Sequence, residues 1–362
     1  MSHKSRILSS FSDEAAGPPL FLPDLTVWYE HNRRMGSLPE KWADASLPEI
    51  SRDLGLPIWI VAQPYGLEHP GIEVRSTEDD SGRTVEYACA SGTLSARWIK
   101  GPDGSWWQTE YPIKASSDFA VALEIANART YTPDAALVDR FVQEVGDDGL
   151  VALEIPSRPY ADLLLEFVGM SEGIMILMEQ PPEMAGMLSI LEGKLQGLVA
   201  DVAAMPGDIV FAHDNLDAQF VYPPVFQQHY AASYRATADA LQKSNKPLLV
   251  HAGGPVNNLL KPLADAGVNG IQGISGPPQS DATLEQAREA VGPSITLWGG
   301  IPQDLALKTH DREDFDTVVT QTARQHREDG RVILGIADRV PADADIDRIA
   351  AIPGLIERSL SG

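Results

Sequence analysis

The chain has 362 residues, of which 43% are hydrophobic, and a formal net charge of −23 at pH 7. Such a length suits one large α/β barrel with an insertion, or two small domains, and the apolar share is ordinary for a globular core. The acidic balance favours solubility and argues against nucleic-acid phosphates and anionic membranes as partners. No run of about 18 apolar residues offers a transmembrane helix, and the first 17 residues, MSHKSRILSSFSDEAAG, lack the apolar region of a signal peptide, so a cytoplasmic location is expected. One cysteine, Cys89, leaves no internal disulfide and no cysteine-rich zinc site.

After a polar start, Pro19–Pro23 (PLFLP) reads as a first strand and Leu25–Met35 as a helix. From about Gly71 to Tyr111 the pattern turns β-rich. The runs Arg83–Ala90, Thr93–Lys100 and Ser105–Glu110 are joined by Ser91-Gly92 and by Gly101-Pro-Asp-Gly104, which predicts an antiparallel meander with hairpin turns. Trp98, Trp106 and Trp107 lie in it, either packing the meander or forming an aromatic wall over a mouth.

From Asp134, which caps a helix to Val145, strands and helices alternate. Leu150–Ile155 is a strand, Pro156–Pro159 its loop and Tyr160–Met170 a helix. Pro182–Met205 is a long helix, Asp208–Ala212 a strand ending in His213-Asp214-Asn215, and Pro223–Ser244 another long helix. Five of the eight methionines fall between Met170 and Met187, as adaptable core packing or as a flexible wall for a large ligand.

The rhythm is clearest from Lys246 to Pro302. Pro247–Val250, Gly270–Ile274 and Ser294–Trp298 are short apolar runs flanked by Gly or Pro, each a buried strand. Val256–Ala266 and Thr283–Val291 between them have helical spacing, with Gly267 as a stop and Asp281 as an N-cap. Helical sequence follows over Asp304–Glu328, then a strand at Val332–Leu334 and a closing helix from Asp345. This is the pattern of parallel βα units, whose strand C-terminal ends carry the site. Collected there are Glu154, Arg158, His213, Asp214, Asn215, His251, Gln272, Gln303 and Asp338. Two histidines and several carboxylates on one rim could bind a metal or move protons. His251 is the sharpest, because it follows four apolar residues and precedes Gly253 and Gly254. No GxGxxG, P-loop or GxSxG motif occurs, which speaks against dinucleotide, nucleotide and serine-hydrolase chemistry.

HAGG before a helix, then LADAGVNGIQGI, then PSITLWGGIP, resembles the uroporphyrinogen decarboxylase superfamily, which includes corrinoid-dependent methyltransferases. The likeness runs from about Pro18 to about Ile352 and is strongest after Gly146. It implies a single (β/α)8 TIM-type barrel domain over 1–362, with the β meander at about 71–111 as an insertion. The decarboxylase carries a substrate-holding arginine just ahead of its Leu-Pro-Glu element. Here, aligned on Leu38-Pro39-Glu40, Gly36 and Asn32 stand at those places, which favours the methyltransferase branch. In that branch the loop reads His-x-Cys and a later Cys follows the last strand, together binding zinc. Here Gly253 takes the first Cys position and Asp338 the later one, so a metal would rest on His251 and Asp338. The resemblance thus implies methyl transfer between a small O-, N- or S-methyl compound and cobalamin on a partner corrinoid protein. His251, His213 and Asp214 would be catalytic. Glu154, Arg158, Asn215, Gln272, Trp298 and Gln303 would hold substrate, zinc is a candidate ion, and a homodimer is an option for assembly. The alternatives are a decarboxylase-like lyase acting on a tetrapyrrole or small acid, and a non-catalytic tetrapyrrole or small-ligand binder.

Overall fold

Prolines at 18, 19 and 23 cannot donate to a ladder, so the first strand is confined to two residues. The computed structural model describes residues 1–101, 106–170, 173–179, 181–337 and 339–361. Its strands in chain order are β1 (Leu20–Phe21), β2 (Ile58–Ala62), β3 (Tyr65–Glu68), β4 (Glu73–Asp79), β5 (Gly82–Cys89), β6 (Gly92–Lys100) and β7 (Trp106–Glu110). There follow β8 (Thr130–Pro133), β9 (Gly149–Ile155), β10 (Ile209–Leu216), β11 (Leu248–Ala252), β12 (Gly270–Ile274), β13 (Thr296–Ile301) and β14 (Val332–Ile336). The described residues divide into two compact units. One comprises Met1–Pro64, Ala135–Glu154 and Ala203–Gly362, the other Tyr65–Asp134 and Ile155–Val202. Among the described residues no helix is long and apolar enough to cross a membrane.

The first unit is an α/β layer structure. Its eight-stranded parallel sheet has the order β1-β14-β13-β12-β11-β10-β9-β2. Strands β11, β12 and β14 are buried at every position, as expected where helices cover one face and a core fills the other. The sheet curls strongly. Trp59 on β2 and Trp298 on β13 meet edge to face at 4.7 Å between ring centroids, although a flat sheet would set those strands about 24 Å apart at the usual spacing. Leu20, Leu22, Trp59, Leu150, Ala152, Ile209, Phe211, Leu249, Trp298 and Ile333 fill the concave side as one buried cluster.

The closed barrel expected from the sequence is met in part. Strands and helices alternate and the sheet is parallel, but β1 and β2 stand at its two edges, and no ladder joins them among the described residues. The two-residue β1, between its prolines, already spends its backbone on β14, and Leu22 N continues that pairing to Leu334 O. Helix boundaries differ too. Pro223–Ser244 is two helices, Pro223–His229 and Ala231–Gln242, broken at Tyr230. The stretch expected as one helix over 304–328 is a short 3-10 turn, Asp304–Ala306, and a helix, Arg312–Gln325. Thr283, not Asp281, caps Leu284–Val291. The Asp281 carboxylate instead accepts from the backbone N–H groups of Val256 and Asn257, at the start of the helix Asn257–Asp265.

The second unit holds the expected meander, enlarged by one strand to β4-β5-β6-β7, and a separate antiparallel pair, β3 and β8. The turn expected at Gly101–Gly104 falls mostly on residues 102–105, which lie outside the described residues. Arg83 lies over the rings of both Trp98 and Trp106, at 5.0 and 5.2 Å, while Trp107 is exposed. Tyr160–Met170, expected as an α-helix, is an α-turn at Pro159–Asp162 running into a π-helix at Leu163–Val168.

Candidate active site

Side chains alternate between the two faces of a strand, so each concave-face residue predicts the next one two positions on. Leu150 and Ala152 lead to Glu154, Ile209 and Phe211 lead to His213, and Leu249 leads to His251. Gln272 stands in register with His251 on one side and Trp298 on the other. The apolar core is therefore capped, at the C-terminal ends of β9 to β12, by a polar layer of Glu154, His213, His251 and Gln272.

The layer is connected. His251 Nδ1 lies 3.1 Å from Gln272 Oε1, and both residues are 2% exposed. His213 Nδ1 lies 3.3 Å from Glu154 Oε1, with side-chain exposures of 36% and 28%. The two imidazoles meet at 5.0 Å between centroids, nearly perpendicular, with Phe211 beneath both. One histidine is thus sealed and held by an amide, while the other is open and paired with a carboxylate. His213 and His251, expected in loops, sit within the strands themselves.

The other expected residues divide. Asp214, one step out of phase with His213, points away from the layer, is buried, and accepts the hydroxyl of Tyr234. Asn215 has a left-handed φ of 49° and closes over Gly253, where a Cβ would come within 1.7 Å of its Oδ1. Asp217 does the same at Gly254. A larger residue at either glycine would have to push these side-chain ends aside. Trp298 belongs to the core below, donating Nε1–H to Leu22 O at 3.1 Å. Arg158 is buried in the second unit, its Nη2 donating to Pro156 O at 3.2 Å. Asp338 lies outside the described residues.

A cavity of about 470 Å³ opens past the ends of β11 to β14, lined by Gly253, Gly254, Gly273, Ser275, Gln279 and Gln303, with Ala337 and Arg339, and its described lining includes none of Glu154, His213, His251 and Gln272. Gln303 donates to Arg339 O at 3.0 Å. Gln279 Nε2 donates to Asp304 at 3.3 Å, while its buried Oε1 has no hydrogen-bond partner among the described residues. Arg339 is the one charged residue among the described lining. Neither Gln279 nor Arg339 was singled out in the sequence. Both follow strands in the sequence, and that position is the signal that could have found them.

Zinc requires converging donors, usually four in number. Among the described residues no three His, Cys, Asp or Glu side chains are grouped to hold a metal ion. The Nδ1 atoms of His251 and His213 face Gln272 and Glu154, and Gly253 offers no side chain where a thiolate would stand. The described residues do not fit a zinc site.

A search of curated proteins finds no significant match. Among solved structures, a methyltransferase from Methanosarcina mazei shares the fold with a TM-score of 0.61 at 14% identity, covering 99% of both chains. A D-psicose 3-epimerase matches at a TM-score of 0.38 and 11% identity, over 66% of this chain and 85% of that one, too slight a likeness to inform fold or function. The family model described as uroporphyrinogen decarboxylase (URO-D) matches residues 163–358, from the π-helix to the closing helix. That match spans more than half of the chain and takes in three members of the polar layer, and by it the chain belongs to the uroporphyrinogen decarboxylase family.

Proposed function

We propose that the protein transfers a methyl group between a small O-, N- or S-methyl compound and a corrinoid presented by a partner protein, at the mouth of a (β/α)8-type barrel. One observation carries this reading. An open imidazole, His213, is paired with a carboxylate, Glu154, and backed by a sealed imidazole, His251, at the C-terminal ends of the strands, and a cavity of about 470 Å³ opens past the ends of β11 to β14. The family and the whole-length likeness to a protein described as a methyltransferase agree with it.

The chemistry asked of these residues is modest. When the bond between methyl carbon and donor heteroatom breaks, the heteroatom keeps the electron pair and is eased away by a proton. His213 is the group placed to deliver that proton, and Glu154, 3.3 Å from its Nδ1, orients the ring. The acceptor supplies the electron pair of the new bond to carbon. His251, held by Gln272, keeps the His213 ring from turning. Ser275, Gln279 and Gln303 give the cavity hydrogen-bonding walls for the heteroatom end of the donor.

The test mixes purified protein with cob(I)alamin and a panel of methoxyaromatics and methylamines, beside metal analysis of the same sample. A visible-spectrum change to the methylated corrinoid with at least one donor is expected, and its loss in His213→Ala. Carbon dioxide release from uroporphyrinogen, or tight tetrapyrrole binding without turnover, with no methyl transfer from any donor, would overturn the reading.

A further inference from the structure

The second unit has a hollow of its own, about 90 Å³, whose wall includes His69, Tyr87, Trp98, Arg129 and Glu166 over apolar Ile125 and Phe167. Arg129 is 7% exposed. It donates from Nη1 to Asp162 at 2.5 Å, is also bonded to Tyr131, and lies 5.3 Å above the Phe167 ring, while its buried Nε has no hydrogen-bond partner among the described residues. His69 meets Tyr87 edge to face at 5.8 Å. The His69 ring, the Tyr87 hydroxyl and the Glu166 carboxyl have no hydrogen-bond partner among the described residues. Polar groups gathered around an apolar hollow are normally bonded to one another. Here they converge and stay uncommitted. Glu166 also rides on the π-helix Leu163–Val168, a distortion frequent at functional sites.

The charges differ between the two ends. Burial chiefly, with Arg129 and Lys194 adding to it, lowers His69 to about 4, so its imidazole is neutral and stands in a positive field. Burial, then the charge of Asp162, raises the Glu166 carboxyl above its ordinary range, with Arg129 opposing. That carboxyl therefore gains by meeting a cation. A guest with an anionic end toward Arg129 and a cationic end toward Glu166 would satisfy both. An engineered cavity of about 150 Å³ holds the six carbons of benzene, so by proportion about four non-hydrogen atoms lie inside this hollow, and a guest of five or six reaches into its opening.

We propose that this hollow binds a small α-amino-acid zwitterion, glycine or an N-methylated glycine, with its carboxylate toward Arg129 and His69 and its ammonium toward Glu166 and Tyr87. The Tyr87 face suits a methylated ammonium. The site belongs to the second unit and stands whether or not the first unit transfers methyl groups.

Isothermal titration of the whole protein tests this, with glycine and sarcosine as probes and acetate and methylammonium as their separate halves. The zwitterions should bind, and each half at least about tenfold more weakly, since each lacks one charged contact. Removing Arg129 would endanger folding, so the deciding variants are Glu166→Gln and Tyr87→Phe, each checked for an unchanged melting temperature. Glu166→Gln should weaken glycine at least about tenfold. The proposal is overturned if no zwitterion binds, if either half alone binds as tightly as glycine, or if Glu166→Gln leaves glycine affinity unchanged.

Discussion

Gln272 holds His251, and replacing it should show how. A carbonyl oxygen only accepts, so Oε1 at 3.1 Å from Nδ1 places the neutral ring's proton on Nδ1 and leaves Nε2 as an acceptor. Gln272→Leu keeps the volume and removes that acceptor. Depriving a buried donor of its partner costs about 1–3 kcal/mol. Each kcal/mol lowers Tm by about 2–4 °C in a unit of 150–250 residues, so a fall of about 2–12 °C is expected. With the tautomer no longer held, turnover should drop about 10–100-fold, less than the ~10⁴ lost when a triad histidine takes the wrong tautomer. Gln272→Glu acts oppositely, because a carboxylate favours the imidazolium and should move His251 titration upward. Calorimetry reads the first effect, and nitrogen chemical shifts of the labelled imidazole read the tautomer and the titration. If both variants melt within about 1 °C of the parent and leave the His251 shifts unmoved, Gln272 does not position the ring.

His251→Ala should fold and lower turnover about 10–100-fold, as loss of a group that orients another does; full turnover in a normally folded variant counts against the site. Gly273→Ala should cost more than about 3 kcal/mol in denaturant unfolding, because φ there is +102° and a Cβ would stand 2.1 Å from Ala252 O, and a variant as stable as the parent would contradict the geometry. His69, at about 4, and His229 and His326, also lowered, are neutral in the fold chiefly through burial, while the unfolded chain protonates near 6.5. Stability should therefore be full above about pH 6.5 and drain away as pH falls toward 4. Thermal melts across that range should show the slope, and His69→Gln should flatten it; an unchanged slope would remove His69 from the account.

The parallel strands were legible because burial on both faces makes them continuous apolar runs, and Lys246–Pro302 shows three such runs in succession. Ile58–Ala62 (IWIVA) is just as apolar and escaped notice. No helix follows it directly. The chain leaves for the second unit before returning as β9, so the strand–helix rhythm is interrupted there. Glu73–Asp79 is exposed at all seven positions, so it has no apolar alternation to reveal it, and only its pairing with β5 makes it a strand. The break at Tyr230 carries no Gly or Pro. It lies where Phe226, Tyr230 and Tyr234 stack at 5.9 and 6.5 Å, a tertiary choice invisible to local pattern.

Site residues were legible by position and illegible by direction. Standing at the end of an apolar run gathered Glu154, His213, His251 and Gln272, which the structure brings into one layer, but it could not separate His213 from Asp214. Counting in twos from Ile209 and Phe211 separates them, and that count needs to know which residues form the core. Register decides Trp298. Level with Gln272 and Ile333, it faces the same interior, but its ring is large enough to reach Trp59 and Leu22 and so fills the core below the mouth. The glycines after His251 show a further limit. In sequence they read as space for a ligand, whereas Asn215 and Asp217, at and just past the end of the neighbouring strand, take up that space, and the ligand space they do border is shared with Gln303 and Arg339 from the loops after β13 and β14. Such neighbours belong to the sheet order, and only the curled sheet brings them together.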